Sequence, residues 1–139
     1  MSSSDPGMTI KRGQAVWIKR IDPDEPIYLL GQVSEEPASV DLEEGSAETP
    51  SWNLVASPAA EELDVTTLSV DGAENDQIIV PTAGAPVNYT VNSGTWGYWK
   101  PVKGDDGIVR KVWTTEKVKV PAGQGFWYLN SGSSKDLSL

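Results

Sequence analysis

A motif that occurs twice constrains the fold of this chain more than any other feature of its sequence. Residues 8–18 read MTIKRGQAVWI and residues 118–128 read VKVPAGQGFWY, so that Gly13 aligns with Gly123. A repeat of this kind is typical of proteins built from successive copies of one structural unit. We therefore expect the chain to begin in the closing strands of one unit and then to contain one whole unit.

The residues of the motif predict two strands joined by a tight turn. Residues 117–120 alternate polar and apolar side chains, which is the period of a half-buried strand. Residues 121–123 interrupt the alternation, and the large side chains of residues 126–128 favour a second strand. The motif positions that we expect to matter for assembly are Gly13, Trp17, Gly123, Phe126 and Trp127.

A turn-rich composition extends this prediction to the whole chain. With 13 glycines and 10 prolines in 139 residues, we predict an all-β fold. It would be a small sandwich or barrel-like domain of short antiparallel strands, with an N-terminal β-hairpin that repeats the C-terminal motif. Residues 1–33 would form this hairpin segment, whose strands could be donated to another molecule. Residues 34–51, with six acidic side chains, would form an acidic linker, and residues 52–139 the main β domain.

Local patterns predict the elements of the main domain. Strands are expected at residues 52–56, 63–70, 77–80, 87–91, 95–100, 126–128 and 137–139. Ser57 followed by Pro58 predicts a short helix of about two turns, because serine is a good N-cap and proline suits the first helical position. Asp106 and Gly107 fit the central positions of a type I′ hairpin turn.

The chain contains neither cysteine nor histidine. Disulfides, thiolate chemistry, Cys-based zinc sites, Ser-His-Asp triads and most transition-metal sites are therefore excluded. The adjacent carboxylates Glu61 and Glu62, or Asp105 and Asp106, would point to opposite faces of a strand, whereas a glycosidase needs two that face each other. We expect a protein that is not an enzyme and that has no cofactor.

The net charge of −9 is unevenly distributed. Residues 1–20 carry +3, residues 21–99 carry −15 and residues 100–139 carry +3. The acidic middle argues against nucleic acid as a partner, because that binding relies on basic side chains. The basic ends could attract the acidic middle within one chain or between copies. The alternative is a solvated acidic surface that only keeps the protein soluble.

Three stretches of the main domain occur in a recognisable order: WNLVASP at 52–58, WGYW at 96–99 and GQGFW at 123–127. They resemble a repeat unit of large secreted or surface-attached bacterial proteins, in which a W-N-L-[V/I]-x-x-P opening precedes an internal aromatic stretch and a G-x-G-[F/Y]-W closing motif. The resemblance implies an extracellular β module and carries over no catalytic residues. The N-terminal copy departs from the pattern at Ala15 and Val16.

The best candidates for ligand binding are Trp96, Tyr98 and Trp99, because aromatic faces can stack on sugar rings. At the strand period Trp96 and Tyr98 share one face and Trp99 takes the other, so the three cannot form one platform. The alternative is that at least two of them pack in the core, and the same alternative applies to Trp17 and Trp127.

A short acidic stretch offers a candidate calcium site. Hard cations prefer oxygen ligands, and Asp71, Glu74 and Asp76 lie close together beside Asn75. The spacing matches no EF-hand loop, and the alternative is a solvated turn.

These features predict an extracellular structural or adhesive β module at the cell surface. Its N-terminal hairpin could complete the sheet of a neighbouring copy by strand exchange, and such pairing without closure gives a filament. The alternative is that the hairpin completes its own sheet in a monomer. A second functional class is a carbohydrate-binding module that uses exposed Trp or Tyr. The expected partners are copies of the chain, other repeats or a polysaccharide, with no nucleic acid and no membrane span, since no apolar run approaches roughly 20 residues.

Overall fold

In a computed structural model, the protein is described at residues 10, 12–13, 15–16, 19, 38–56, 61–68 and 74–139. These residues contain ten strands and one short 3₁₀ helix, Val65–Thr67. The strands are β1 (Ser39–Leu42), β2 (Ser51–Ala56), β3 (Leu63–Asp64), β4 (Gln77–Val80), β5 (Val87–Asn92), β6 (Thr95–Lys103), β7 (Val109–Thr114), β8 (Lys119–Val120), β9 (Gly125–Asn130) and β10 (Lys135–Ser138).

All strand pairs are antiparallel, and most strands form one sheet. Six strands in the order β2-β9-β4-β5-β6-β7 make up what we call the main sheet. Two smaller sheets pair β1 with β10 and β3 with β8. The all-β fold class predicted from the sequence is therefore confirmed.

The core lies against one side of the main sheet, which we call the inner face. The main sheet contributes Val55, Ile78, Val80, Tyr89, Trp96, Phe126 and Tyr128, and the smaller sheets and the 3₁₀ helix contribute Val40, Leu42, Val65, Val120 and Leu137. Because side chains alternate along a strand, the other residues of each main-sheet strand point to the opposite side, the outer face.

The acidic linker predicted over residues 34–51 is interrupted by a strand at residues 39–42. Residues 39–42 form β1, which pairs with β10 from Ser39↔Ser138 to Leu42↔Lys135. Val40 and Leu42 are buried while the acidic Asp41 between them is exposed, so an alternating strand lies within an acidic stretch. The main domain therefore begins before Trp52.

Two local predictions also need correction. The strand predicted over residues 63–70 ends at Asp64, because the Asp64 carboxylate accepts hydrogen bonds from the Thr66 N–H and hydroxyl and caps the 3₁₀ helix. The turn of the β6–β7 hairpin is not type I′, because only Gly107 of the predicted pair has a positive φ. Among the described residues, no helix is long and apolar enough to cross a membrane.

The described part of the N-terminal motif lies along the free edge of β2. The Gly13 carbonyl accepts a hydrogen bond from the Ala56 N–H at 2.9 Å, and the Ala15 N–H donates to the Leu54 carbonyl at 3.3 Å. This order of partners is that of an antiparallel strand. The segment thus extends the main sheet of its own chain, while most of the hairpin predicted over residues 9–33, including Trp17, lies outside the described residues.

Candidate functional site

Four of the six tryptophans point to the outer face of the main sheet. Trp52 and Trp127 form an edge-to-face pair with ring centroids 5.6 Å apart, and Trp99 and Trp113 form another with centroids 5.5 Å apart. Trp52 and Trp99 remain 57% and 56% exposed, respectively. Each pair therefore presents one large aromatic surface to solvent.

The strand registers place the two pairs at opposite ends of the outer face. Trp127 lies beside Ile79, which lies beside Asn88, and on the far side Trp99 lies directly opposite Trp113. From β9 to β7 there are four strand spacings, which correspond to roughly 19 Å. The aromatic pairs thus flank a band of aliphatic and polar residues.

Polar side chains in this band offer hydrogen-bonding groups. The Asn88 amide donates to the Gln77 side-chain oxygen at 3.0 Å, and Thr90 lies opposite both Gln77 and Gly97 in the sheet. Beside them runs an open groove of about 400 Å³, bordered by Pro86, Asn88, Thr90, Trp99, Pro101 and Lys111. A ligand in this groove would meet both an indole ring and polar groups.

The structure separates the three aromatic residues predicted to bind ligand. Trp96 is only 1% exposed, and its indole N–H donates to the Leu68 carbonyl at 3.2 Å, so its ring belongs to the core and is not available for stacking. Tyr98 is half-buried with its ring against Tyr89, although it also borders the groove. Only Trp99 lies on the outer face, as alternation along the strand predicts.

Sequence reasoning missed Trp52 and Trp113 as partners in this surface. Alternation along β2 and β7 could have shown which side of each strand carries them. Gly97 gives a further signal, because a Cβ there would lie 2.5 Å from the Trp113 ring. Glycine at this position therefore makes room for the Trp113 indole beside Trp99.

The tyrosines of the inner face have structural roles. The Tyr89 hydroxyl donates to the Glu116 carbonyl and accepts from the Val118 N–H, both at 2.8 Å. Burial raises the pKa of Tyr89 to about 12, because ionisation would place a charge in the core. The two hydrogen bonds of this hydroxyl connect β5 to the segment that precedes β8.

Of the three candidate calcium ligands, the structure describes Glu74 and Asp76. Asp71 lies outside the described residues and Glu74 is exposed. The Asp76 carboxylate is 1% exposed and accepts from the Tyr128 hydroxyl, the Ser131 N–H and the Lys135 ammonium group. In the described part of the chain, no group of three or more acidic side chains could hold a metal ion. The Asp76 carboxylate is thus occupied by hydrogen bonds from donors within the protein.

The two copies of the motif have matching turns. Gly13 and Gly123 both adopt a positive φ, +82° and +76°, so the repeated sequence corresponds to a repeated backbone conformation. Phe126 enters the core, whereas Trp127 points to the outer face. The motif therefore contributes both to packing and to the aromatic surface.

Ion pairs show how the basic C-terminal part meets the acidic middle. Lys117 binds Asp64 at 2.7 Å, Lys119 binds Glu62 at 2.8 Å, and Lys135 binds Asp76. These contacts are within one chain. For these residues, basic side chains from the C-terminal part of the sequence pair with acidic side chains from the middle.

Comparisons with known proteins add no relative to this description. No family model matches the chain, and no curated protein or solved structure matches it.

Proposed function

We propose that this chain is an adhesive β module of a secreted or cell-surface protein, and that it binds a polysaccharide on the outer face of its main sheet. The observation that carries this proposal is the pair of edge-to-face tryptophan contacts on one side of the sheet, each with a highly exposed indole ring. Large exposed aromatic surfaces mark interaction sites on soluble domains.

The composition of the outer face favours a polysaccharide. Sugar rings present apolar C–H faces that stack on indoles, and their hydroxyls need hydrogen-bonding partners. Asn88, Gln77 and Thr90 supply amide and hydroxyl groups between the two tryptophan pairs. The roughly 19 Å from Trp127 to Trp113 suits a chain of several rings better than a single small molecule.

Substitution of the exposed tryptophans tests this proposal. Trp99→Ala and Trp52→Ala should each weaken retention in affinity gels that contain soluble polysaccharides by about tenfold, because each removes a stacking surface. Val112→Ala is the matched control, since it removes an exposed apolar side chain from the other side of the same hairpin. Equal unfolding midpoints would show that the variants fold. Unchanged retention of the Trp52→Ala/Trp99→Ala double variant would overturn the proposal.

A second candidate function is self-assembly through the edge of β2. The described hydrogen bonds of Gly13 and Ala15 are made to their own chain, but the same two bonds could be made by the segment of a neighbouring copy. Light scattering on the full chain and on a version that begins at Ala38, which keeps β1, separates the two arrangements. Large assemblies of the full chain that disappear on truncation would favour exchange between copies. A monomeric full chain would favour pairing within one molecule.

A further inference from the structure

The main sheet contains no acidic residue, although the chain has 20 of them. None of its six strands includes Asp or Glu, whereas β6 and β7 together carry four basic residues: Lys100, Lys103, Arg110 and Lys111. In a protein of net charge −9, the strands of this sheet therefore carry only basic charges.

The four basic residues divide between the two sides of the hairpin. On the side that continues the inner face, Lys100 binds Glu116 and Arg110 binds Asp106, both at 2.6 Å. Lys103 and Lys111 alternate with these and so share the outer face with Trp99 and Trp113. Neither is in an ion pair with any residue that the structure describes.

We propose that the polysaccharide held by the outer face is acidic, with carboxylate or sulfate groups that contact Lys103 and Lys111; this inference rests on the binding function proposed above. Lys111 borders the same groove as Trp99 and Asn88, so one ligand can stack on the indole and meet the ammonium group. Lys103 lies toward the tip of the hairpin on the same side, opposite Val109.

Charge decides where an acidic ligand can approach this protein. The overall negative charge repels an anionic polymer from most of the surface, and strands without carboxylates that carry Lys103 and Lys111 reduce that repulsion locally. Complementary charge sets selectivity and association rate more than raw affinity. The tryptophans therefore provide the contact area, and the lysines select the acidic polymer over a neutral one.

Retention can be measured for the full chain against two sets of probes. The acidic set is polygalacturonate, alginate and chondroitin sulfate, and the neutral set is glucomannan, laminarin and hydroxyethyl cellulose. We expect at least one acidic probe to bind about tenfold more tightly than every neutral probe. This preference should disappear in about 1 M salt, where the Debye length is about 3 Å.

Substitution of lysines tests whether the outer face causes the preference for acidic probes. Lys103→Gln/Lys111→Gln should weaken binding of the acidic probe by about tenfold, because each exposed charge contact contributes a modest amount. Lys100→Gln/Lys119→Gln is the matched control: it removes the same charge from lysines that are paired with Glu116 and Glu62. The control should retain the acidic probe.

Each outcome bears on one proposal or both. Equal binding of neutral and acidic probes overturns the acidic specificity and leaves polysaccharide binding standing, whereas retention of no probe overturns both. Acidic binding that survives Trp52→Ala/Trp99→Ala would be attraction by charge alone and overturns both. Equally tight binding of poly-glutamate would mean that the partner is an acidic protein segment rather than a sugar polymer.

Discussion

Ala15 and Gly125 hold the same position in the two copies of the motif, and in the folded chain they lie against each other. A Cβ added at Gly125 would be 3.0 Å from the Ala15 Cβ and 3.3 Å from the Val55 carbonyl oxygen. The glycine of one copy thus makes room for the alanine of the other. This contact connects the repeat in the sequence to the packing of the N-terminal segment on the sheet.

Gly125→Ala should therefore lower the free energy of unfolding by about 1–2 kcal/mol, because the added methyl group crowds Ala15. Ala15→Gly should recover part of this loss in the double variant. Urea unfolding of the four proteins gives the coupling energy, which we expect to be about 0.5 kcal/mol or more. Additive effects would mean that residue 15 does not lie here in solution.

The two motif glycines should tolerate substitution differently. Gly13→Ala meets both a positive φ and the Val40 side chain, whose Cγ2 would be 2.4 Å from the new Cβ, so we expect a loss of about 2–4 kcal/mol. Gly123→Ala meets the positive φ alone, because no atom lies within 4 Å, and should cost about 1 kcal/mol. Thermal unfolding compares them directly, and equal losses would contradict the burial of Gly13.

Asp41 and Asp136 lie directly opposite each other in the β1–β10 ribbon. The hydrogen bond to Asp41 and its charge raise the pKa of Asp136, so the folded state favours the protonated form. The contribution of protonated Asp136 to the free energy of unfolding is therefore present at low pH, and it is lost as the pH rises through the raised pKa of Asp136. Asp136→Asn should raise the unfolding midpoint by about 1–3 °C at pH 7. The gain should vanish near pH 3, and a gain that is equal at both pH values would refute this explanation.

Asp76 should be a major contributor to stability. Its buried carboxylate accepts from the Tyr128 hydroxyl, and burial, followed by this hydrogen bond and the charge of Asp76, raises the pKa of that tyrosine. Asp76→Ala leaves Lys135 without its partner and should cost about 3–5 kcal/mol in urea unfolding. Asp76→Asn should cost less, because one acceptor oxygen remains. If calcium instead raised the unfolding midpoint of the unmodified chain but not of Asp76→Asn, Asp76 would be a metal ligand.

The strands that could be predicted are those in which local alternation decides the structure. Residues 87–92 form a strand close to the predicted bounds, because the apolar residues 87, 89 and 91 alternate with polar residues and so specify an inner face. Residues 39–42 were missed because their acidic neighbours hide a short alternation. Their partner is β10, almost a hundred positions along the chain, so the stabilising contacts are non-local.

The same difference between local patterns and non-local contacts explains which parts of the candidate site could be predicted from the sequence. The side of the strand on which Trp99 lies follows from alternation alone. Its neighbours follow from register and strand order, since β4 is inserted between β9 and β5. No local pattern in the sequence records that insertion. The outer face as a continuous surface could therefore be recognised only in the folded chain.

The two edges of the main sheet are protected by different means. At β2, Gly13 and Ala15 form hydrogen bonds with the backbone groups of Ala56 and Leu54, whereas the edge strand β7 carries Arg110 and Lys111. Covered edges and charged edge strands both oppose sheet-to-sheet aggregation. A unit built in this way can stand beside identical units at high local concentration without its sheet fusing with theirs. Neighbours in an array would stay separate bodies, each free to present its own aromatic surface.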